Sequence, residues 1–305
     1  MPRMISPVTI PSLPCYLNGA FTSLDQARIS VLDRGFIFGD GIYEVVPVYQ
    51  GEPFRLGQHL ARLNRSLAEV RIQSGLSDVQ WRGIIDDLIK RHAAVTQNSS
   101  ADQLIYIQIS RGVAMRDHVM TPGIAPTIFV MINALKQPGE KERQLGVDCI
   151  TAEDFRWERA HIKSTSLLGA VFARQMSHDV GATETVMFRK GYLSEAAASN
   201  VWVVSAGKVL GTPPDNLVLE GIRYGLIEEL CAQQKIAFEL RRITREEVFT
   251  ADELLLSSAT KEILPIVRLD GRPVGSGKPG PVYRRLFEAY QRAKAQSHKP
   301  PKAAP

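Results

Sequence analysis

The sequence has only three cysteines, Cys15, Cys149 and Cys231, and they lie far apart. This spacing provides neither a disulfide framework nor a metal site, so it predicts reduced, buried thiols in a cytoplasmic protein. No apolar run is long enough to cross a membrane, and the first residues lack the apolar segment of a signal peptide. The net charge of +5 is modest and forms no basic stripe, so nucleic acid is not an expected partner.

The 305 residues can form a sizeable core in one or two domains. A charged stretch with Pro138-Gly139 follows an apolar strand and is typical of a linker. We therefore predict an N-terminal α/β domain over residues 1–135, a linker over 136–145 and a C-terminal domain over 146–298. The last residues, 299–305, are rich in Lys, Pro and Ala and are predicted to be disordered.

Local patterns predict the main elements of the first domain. Asn18-Gly19 predicts a hairpin turn, and Leu104–Ile109 alternates as a strand. Two amphipathic helices are expected between them, the second capped by Ser77. The apolar face of the first helix comprises Leu60, Leu63, Leu67 and Val70. That of the second comprises Leu76, Val79, Ile84, Leu88 and Ile89.

Two residues between Arg156 and Asn200 stand out chemically. Lys163 lies between Ile162 and Ser164 before a predicted helix, and an apolar setting would lower the pKa of its amine. Glu195 lies among small residues before an apolar strand and could meet a cationic partner. Taken alone, the pair is more typical of a surface lysine and a turn glutamate than of a catalytic site.

Longer motifs change this interpretation. IKSTSLLGAV, GATETVMFRKGYLSEAAASNVWVV, GTPP, LEGIR and DRGFIFGDGIYE resemble the fold-type IV pyridoxal phosphate enzymes. That family includes D-amino acid transaminases, branched-chain aminotransferases and aminodeoxychorismate lyases. The resemblance extends from about Tyr16 to Lys278. It implies an α+β, two-domain fold with pyridoxal 5'-phosphate bound at the domain interface.

The resemblance also implies roles for individual residues. Lys163 is the lysine that forms the Schiff base, and Glu195 is the partner of the pyridine nitrogen. The arginine of the HLxRL motif, Arg62, reaches the cofactor phosphate, although helix arginines are more often solvated. The remaining cofactor-binding residues are expected at two turns and a helix start: Leu219, Ile222, Arg223, Ser258 and Ala259.

Three further residues are expected to bind substrate. The tyrosine of the DRGFxFGDGxYE string, Tyr43, lies in the substrate pocket of the family. Arg116 and His118 form an Arg-x-His pair after the SRG strand. By itself such a pair indicates a solvated loop. It resembles, however, the carboxylate-binding pair of D-amino acid transaminases, which the neighbouring subunit supplies in a homodimer. The branched-chain enzymes and the lyase are not expected to carry this pair.

The chain departs from the family at two phosphate-binding positions. Most members have Gly-Ile-Thr where this chain has Gly221-Ile222-Arg223, and many have a threonine where it has Ala259. Two hydroxyl donors are therefore absent. The backbone donors of the helix start and the turn remain, and Arg223 could add positive charge.

The resemblance therefore implies a transaminase that moves the amino group of D-alanine or D-glutamate to pyruvate or 2-oxoglutarate. The alternatives are a branched-chain or primary-amine transaminase of the same fold, and an aminodeoxychorismate lyase. A non-catalytic relative is disfavoured because both Lys163 and Glu195 are present.

Overall fold

The structure, a computed structural model, describes residues 9–98 and 102–296. The predicted tail, residues 299–305, lies outside the described residues. Contacts divide the chain into two compact units. The first takes in the described residues up to Pro53 together with Leu60–Leu135, and the second takes in Phe54–His59 and the described residues from Lys136 onward.

The assignment of Phe54–His59 differs from the sequence-based boundary, which placed these residues in the first domain. Two side chains explain the difference. The Phe54 ring packs 6.0 Å from that of Tyr290. Arg55 forms a two-pronged ion pair with Glu229, with N···O distances of 2.9 and 2.6 Å. Neither contact could be foreseen, because both partners lie more than 170 residues further along the chain.

The first unit is built on an antiparallel sheet of six strands in the order β2-β1-β6-β5-β3-β4. The strands are β1 (Pro14–Leu17), β2 (Ala20–Ser23), β3 (Gly41–Tyr49), β4 (Glu52–Pro53), β5 (Gln103–Ser110) and β6 (Thr127–Ala134). β1 and β2 pair with Leu17 opposite Ala20, so the predicted Asn18-Gly19 hairpin is confirmed. Both turn residues have positive φ, as a two-residue hairpin requires.

Three helices accompany this sheet: α1 (Arg34–Phe38), α2 (Leu56–Glu69) and α3 (Asp78–Thr96). Ser77 caps α3 through a reciprocal pair of bonds with Gln80, as its N-cap signal predicted. The predicted apolar face of α3 is wrong at Val79, which is 82% exposed. Trp81 is buried instead, because the inward face of α3 runs through Trp81, Ile85 and Leu88.

The second unit is built on a mixed sheet of nine strands in the order β12-β11-β10-β13-β14-β7-β8-β9, with β15 paired to β14. The strands are β7 (Val147–Glu153), β8 (Glu184–Arg189), β9 (Tyr192–Ala196), β10 (Asn200–Ser205), β11 (Lys208–Gly211), β12 (Phe238–Leu240), β13 (Glu253–Ser258), β14 (Glu262–Leu269) and β15 (Arg272–Pro273). β7 runs parallel to both neighbours. The α+β class predicted from the sequence is confirmed.

Five helices belong to this unit: α4 (Glu140–Leu145), α5 (Leu168–Asp179), α6 (Arg223–Gln233), α7 (Arg245–Phe249) and α8 (Pro281–Gln296). The predicted linker over 136–145 therefore contains a short helix, α4. The side chain of Glu142 caps its start by accepting the Gly139 N–H at 2.8 Å. Among the described helices, none combines the length and the apolar character needed to cross a membrane.

The start of α8 is held by a buried carboxylate. Glu253 accepts the backbone N–H groups of Val282 and Tyr283 at 2.8 and 2.9 Å. Gly280 makes room for it, since a Cβ at that position would lie 2.2 Å from the Glu253 carboxyl carbon. The first turn of α8 is thus fixed to β13 by a charge placed at the positive end of the helix dipole.

We predict that Glu253→Ala lowers the free energy of unfolding by roughly 1.5–3 kcal/mol, because charge-assisted bonds to two N–H groups are lost. The measurement is urea denaturation monitored by circular dichroism. Glu253→Gln is the matched control. Its single amide oxygen can still accept one N–H, so it should lose less stability than the alanine variant. Equal losses in the two variants would contradict this account of the helix start.

Candidate active site

Lys163 lies in the loop between β7 and α5 and is half-buried. The loop turns tightly beside it, with Ser164 N–H donating to the Ile162 carbonyl at 2.8 Å. α5 begins five residues later, so the helix predicted after Lys163 is present. The lysine therefore lies between two fixed elements of the second unit.

Glu195 lies on β9 and is buried against a charged neighbour. Arg156 Nη1 donates to Glu195 Oε1 at 2.6 Å. The same guanidinium is bound along its other edge by Asp154, with Nε and Nη2 each 2.9 Å from a carboxylate oxygen. The Arg156 guanidinium thus lies between the carboxylates of Glu195 and Asp154. Gly169 on α5 leaves room for the Arg156 side chain in this position, because a Cβ at residue 169 would lie 3.0 Å from Arg156 Cγ.

The charged side chains in this cluster shift one another's pKa values. Burial raises the pKa of Glu195, and the Arg156 charge and hydrogen bond offset part of that rise. Burial would also raise the pKa of Asp154, but hydrogen bonds from Arg156 outweigh it and the net pKa is lowered. Burial would lower the pKa of Arg156, but the two carboxylates outweigh it, so the guanidinium stays protonated. Arg156 is therefore the group that favours the ionised form of Glu195.

Asn200 fixes the second oxygen of Glu195. Its Nδ2 donates to Glu195 Oε2 at 3.1 Å and to the Leu219 carbonyl at 3.0 Å. The Leu219 N–H approaches Glu195 Oε1 at 3.4 Å. Gly221 packs against this amide so closely that a Cβ would lie 2.1 Å from Asn200 Oδ1. Of the predicted site residues, Glu195 and Leu219 are thus brought into contact.

The predicted phosphate-binding helix start is α6, which follows Ile222 and begins at Arg223. Arg223 is 1% exposed, and its side chain packs beside two aromatic rings that contact each other. Its Cζ lies 5.1 Å from the Phe54 centroid and 5.5 Å from that of Tyr290. Within the described residues, Arg223 Nε and Nη1 have no hydrogen-bond partner. A buried cation with unused donors is thus present at the start of this helix.

The second predicted turn lies between β13 and β14. Arg223 Nη2 donates to the Ala259 carbonyl at 3.4 Å, so the helix start and this turn are adjacent. Ser258 Oγ accepts the Lys261 N–H at 3.0 Å, which closes the turn on itself. Lys261 also binds the buried Glu184 at 2.9 Å. Ser258 and Ala259 are therefore held in one conformation.

In the first unit, Arg62 lies on α2 and is buried against Glu44 of β3. Its Nε and Nη2 bind the two carboxylate oxygens at 2.7 and 2.8 Å. Tyr43, the preceding residue on β3, points to the opposite face of the strand and packs on Tyr106 at 5.7 Å. Burial, and the nearby Tyr43, raise the pKa of Tyr106 to about 12. Arg62 is thus oriented by a carboxylate rather than solvated.

Arg116 and His118 lie on an exposed loop between β5 and β6. The ring of Phe38 contacts both, with 5.3 Å between the His118 and Phe38 centroids and 5.5 Å from Arg116 Cζ to the Phe38 centroid. Exposed apolar side chains flank the pair, and Met115 is 79% exposed. The two side chains are therefore brought together on one aromatic surface.

The second unit's donor set fits pyridoxal 5'-phosphate on chemical grounds. A carboxylate has about four lone-pair sites, so Glu195 can accept one more N–H beside Arg156 and Asn200. A helix start and the unused N–H groups of Arg223 suit a phosphate dianion. Leu219, Ile222, Ser258 and Ala259 would contribute backbone groups to the same turns.

Several residues around the predicted site were not found from the sequence. Asp154, Arg156 and Asn200 surround Glu195, and Arg34 and Phe38 surround the Arg-x-His loop. The stretch around Lys163 begins at Arg156 and ends at Asn200, but nothing in it indicates a partner for either residue. Pairing of this kind depends on strand register, which a single sequence does not fix.

Comparison with known proteins gives consistent relatives. The family model Amino-transferase class IV matches residues 41–269. The chain is similar to the D-alanine aminotransferase of Bacillus licheniformis, at 35% identity over 90% of this chain and 94% of that protein. It is 34% identical to the D-alanine aminotransferase of Staphylococcus haemolyticus, over 91% of this chain and 96% of that protein.

Solved structures show the same fold at lower identity. The branched-chain amino acid aminotransferase of Escherichia coli superposes with a TM-score of 0.83. The two chains are 21% identical, and the match covers 96% of this chain and 98% of that one. At this identity the likeness concerns the fold alone.

We predict that Arg156→Gln raises the pKa of Glu195 above its already raised value, because the cation that favours the carboxylate is removed. Asp154 also loses its main partner, and breaking a buried ion pair costs about 3–5 kcal/mol of unfolding free energy. The measurements are a carbon-13 NMR titration of the Glu195 carboxyl, assigned with Glu195→Gln, and urea denaturation.

Arg189→Gln is the matched control. Arg189 lies 3.4 Å from Asp154 and belongs to the same network, yet the bond to Glu195 comes from Arg156. The control should lose some stability and leave the Glu195 titration in place. An unchanged Glu195 titration in Arg156→Gln would contradict the assignment of Arg156.

Proposed function

Because the chain belongs to amino-transferase class IV, a family of pyridoxal 5'-phosphate enzymes, we propose that it transfers the amino group of a D-amino acid to a 2-oxo acid. D-Alanine and D-glutamate are the proposed donors, and pyruvate and 2-oxoglutarate the acceptors. The observation that carries this choice is the Arg116–His118 pair held on one ring. A fixed cation beside a second donor suits the α-carboxylate that these substrates share.

The cofactor, when bound, supplies the carbonyl that takes up the amino group and the ring that withdraws electrons from the substrate's α-carbon. Lys163 Nζ would hold the cofactor covalently until the amine of the substrate displaces it, and the freed Lys163 amine would then take the proton from the α-carbon and return a proton to complete the transfer. Glu195, whose ionised form Arg156 favours, would accept the N–H of the ring nitrogen. Asn200 orients the Glu195 carboxylate.

The phosphate of the cofactor would be bound by groups from several turns. The backbone N–H groups of Ile222 and Arg223 and those of Ser258 and Ala259 are the proposed donors, with Leu219 beside them. Arg62 supplies charge, and the unused donors of Arg223 replace the missing hydroxyls. Tyr43 contacts the substrate.

A homodimer is the proposed assembly, with Arg116 and His118 acting in the partner's site. The exposed apolar side chains around the pair support this, since exposed apolar patches commonly mark interfaces. In the first unit they include Val113, Met115, Val119 and Met120. In the second, α5 exposes Leu168, Val171, Phe172 and Met176.

A cytoplasmic location is proposed from the cysteines. Cys15, Cys149 and Cys231 are all free and buried. Burial raises the pKa of the Cys231 thiol to about 12, which keeps it protonated and unreactive. Free thiols of this kind are typical of proteins in a reducing compartment.

We predict that the purified protein forms pyruvate from D-alanine only when 2-oxoglutarate is present, and not from L-alanine. The measurement is pyruvate formation coupled to lactate dehydrogenase. Lys163→Ala should abolish both this activity and the visible absorbance that borohydride bleaches. A branched-chain enzyme would prefer L-leucine, and a lyase would release pyruvate from aminodeoxychorismate without an acceptor. Either result would overturn the proposed function.

We predict that Arg116→Ala raises the KM for D-alanine and for 2-oxoglutarate alike, since each loses a charge-assisted bond worth about 1.5–3 kcal/mol. If the arginine acts in the partner's site, mixing Lys163→Ala with Arg116→Ala protein restores part of the activity. In the mixed dimer one site combines an intact lysine from one chain with an intact Arg116 from the other. Absence of recovery, with subunit exchange shown independently by mass spectrometry, would exclude action in the partner's site.

A further inference from the structure

The short helix α1 is fixed rigidly to the sheet of the first unit. Asp33 caps it, accepting the Gly35 N–H at 2.7 Å. The same carboxylate accepts the hydroxyls of Ser110 and Thr127 at 2.7 and 2.5 Å. These two residues stand at the ends of β5 and β6 that the Arg116–His118 loop connects. Helix α1 and both roots of the loop therefore share one buried anion.

Arg34, the first residue of α1, reaches the loop itself. It is 3% exposed, and its Nε binds Asp40 Oδ2 at 2.8 Å. Its Nη1 donates to the carbonyl of Asp117, the residue between Arg116 and His118. Its backbone N–H donates to the Gly112 carbonyl at 2.9 Å, where the loop begins. A buried cation thus binds the loop backbone midway between the two substrate-binding side chains.

Phe38, at the other end of α1, contacts both of those side chains. Its ring lies against the His118 ring and the Arg116 guanidinium, and Arg34 packs on the same ring at 4.9 Å. A change in the orientation of the Phe38 ring would therefore alter the positions of both Arg116 and His118.

A second arginine, Arg111, holds Asp40 in position and favours its ionised form. Arg111 binds both oxygens of Asp40 at 2.8 and 3.0 Å, and also donates to the Val70 carbonyl just after α2. Burial would raise the pKa of Asp40, but hydrogen bonds from Arg111 and Arg34 outweigh it and lower the pKa. Asp40 therefore remains an anion shared by two arginines, which limits the positions that Arg34 can adopt.

We propose that Arg34, Phe38 and Asp40 form a clasp that positions Arg116 and His118 for the substrate α-carboxylate. This explains why the DRGFIFGDG string carries a buried arginine, an aromatic residue and an aspartate at these spacings. Arg34 and Phe38 are positioning residues, since they act through Arg116 and His118 and not on the substrate. The inference rests on the proposed function, because it takes the carboxylate as the ligand of the pair.

The test is steady-state kinetics of the cofactor-saturated enzyme carrying Phe38→Leu, which removes the ring and keeps apolar bulk. The KM for D-alanine and for 2-oxoglutarate should each rise roughly threefold to tenfold, as expected when a ring contact to a cation is lost. kcat should stay within about twofold of wild type, because a group acting on ground-state and transition-state binding alike changes KM alone. Phe38→Tyr keeps the ring and should retain the wild-type KM.

The same substitution in an Arg116→Ala, His118→Ala background separates positioning from a general effect on folding. There Phe38→Leu should raise KM by less than about twofold further, because the groups it positions are absent. An undiminished effect in that background, or a fall in kcat with unchanged KM, would overturn the proposal. If Phe38→Leu does not fold, Arg34→Lys decides. It keeps the buried charge beside Asp40 but loses the fork that reaches Asp117, and should show the same rise in KM.

Failure of the clasp and failure of the proposed function give different results. If wild type does not use D-alanine, or Arg116→Ala leaves KM unchanged, the proposed function fails. If Arg116→Ala raises KM and neither Phe38→Leu nor Arg34→Lys does, only the clasp fails.

Discussion

The bond between Arg156 and Glu195 is the interaction on which the proposed chemistry of the second unit depends. A buried carboxylate is driven toward its protonated form by desolvation, and a protonated Glu195 could not take the role proposed for it at a ring nitrogen. The Arg156 guanidinium counters that tendency, since its Nη1 lies 2.6 Å from Glu195 Oε1. Asp154 in turn offsets the cost of burying Arg156 itself. The strand β9, the turn that supplies Leu219 and the first turn of α5 all pack around this sequence of alternating charges.

Both units use the same device, an arginine held on one side by a carboxylate so that its other side is aimed at a second acceptor. Asp154 holds Arg156 toward Glu195, and Asp40 holds Arg34 toward the Asp117 carbonyl. Glu44 likewise binds Arg62 through both of its carboxylate oxygens. The planar guanidinium suits this arrangement, because its donors are distributed along two edges. Lysine offers a single point of charge and could not serve both partners with fixed geometry.

The sequence predicted the fold well where local chemistry decides the structure. The Asn18-Gly19 hairpin, the Ser77 cap and the strand–turn–strand around Ser258 each depend on neighbours within a few residues. The class IV fold itself came from the resemblance of longer motifs. The departures came from distant contacts. Val79 is exposed because the sheet selects a different face of α3, and Phe54–His59 joins the second unit because its partners are more than 170 residues away.

The site residues divide in the same way, into those that motifs predict and those that depend on distant contacts. Motifs singled out Lys163, Glu195 and the Arg-x-His pair by residue type and spacing, and these assignments remain predictions. The charged neighbours of Glu195 and the contacts of Phe38 could not be foreseen, because they depend on which side chains two remote segments bring together. Arg223 shows both sides of this division. The resemblance implied that it replaces a hydroxyl donor, but only the structure showed its guanidinium beside the Phe54 and Tyr290 rings with unused donors.

The close packing of Gly221 against Asn200 limits how this turn can change by mutation. Any side chain at position 221 would displace the Asn200 amide, and that amide also holds Glu195 and the Leu219 carbonyl. A tolerated substitution at 221 therefore requires simultaneous changes in several residues, which stepwise mutation rarely provides. Two residues later this constraint is absent, because the side chain of Arg223 packs beside the Phe54 and Tyr290 rings and reaches the Ala259 carbonyl, and does not contact the Asn200 amide. Sequence variation at this helix start is thus directed to position 223, where a hydroxyl or the donors of an arginine can serve the proposed phosphate site, while the backbone of the turn stays fixed.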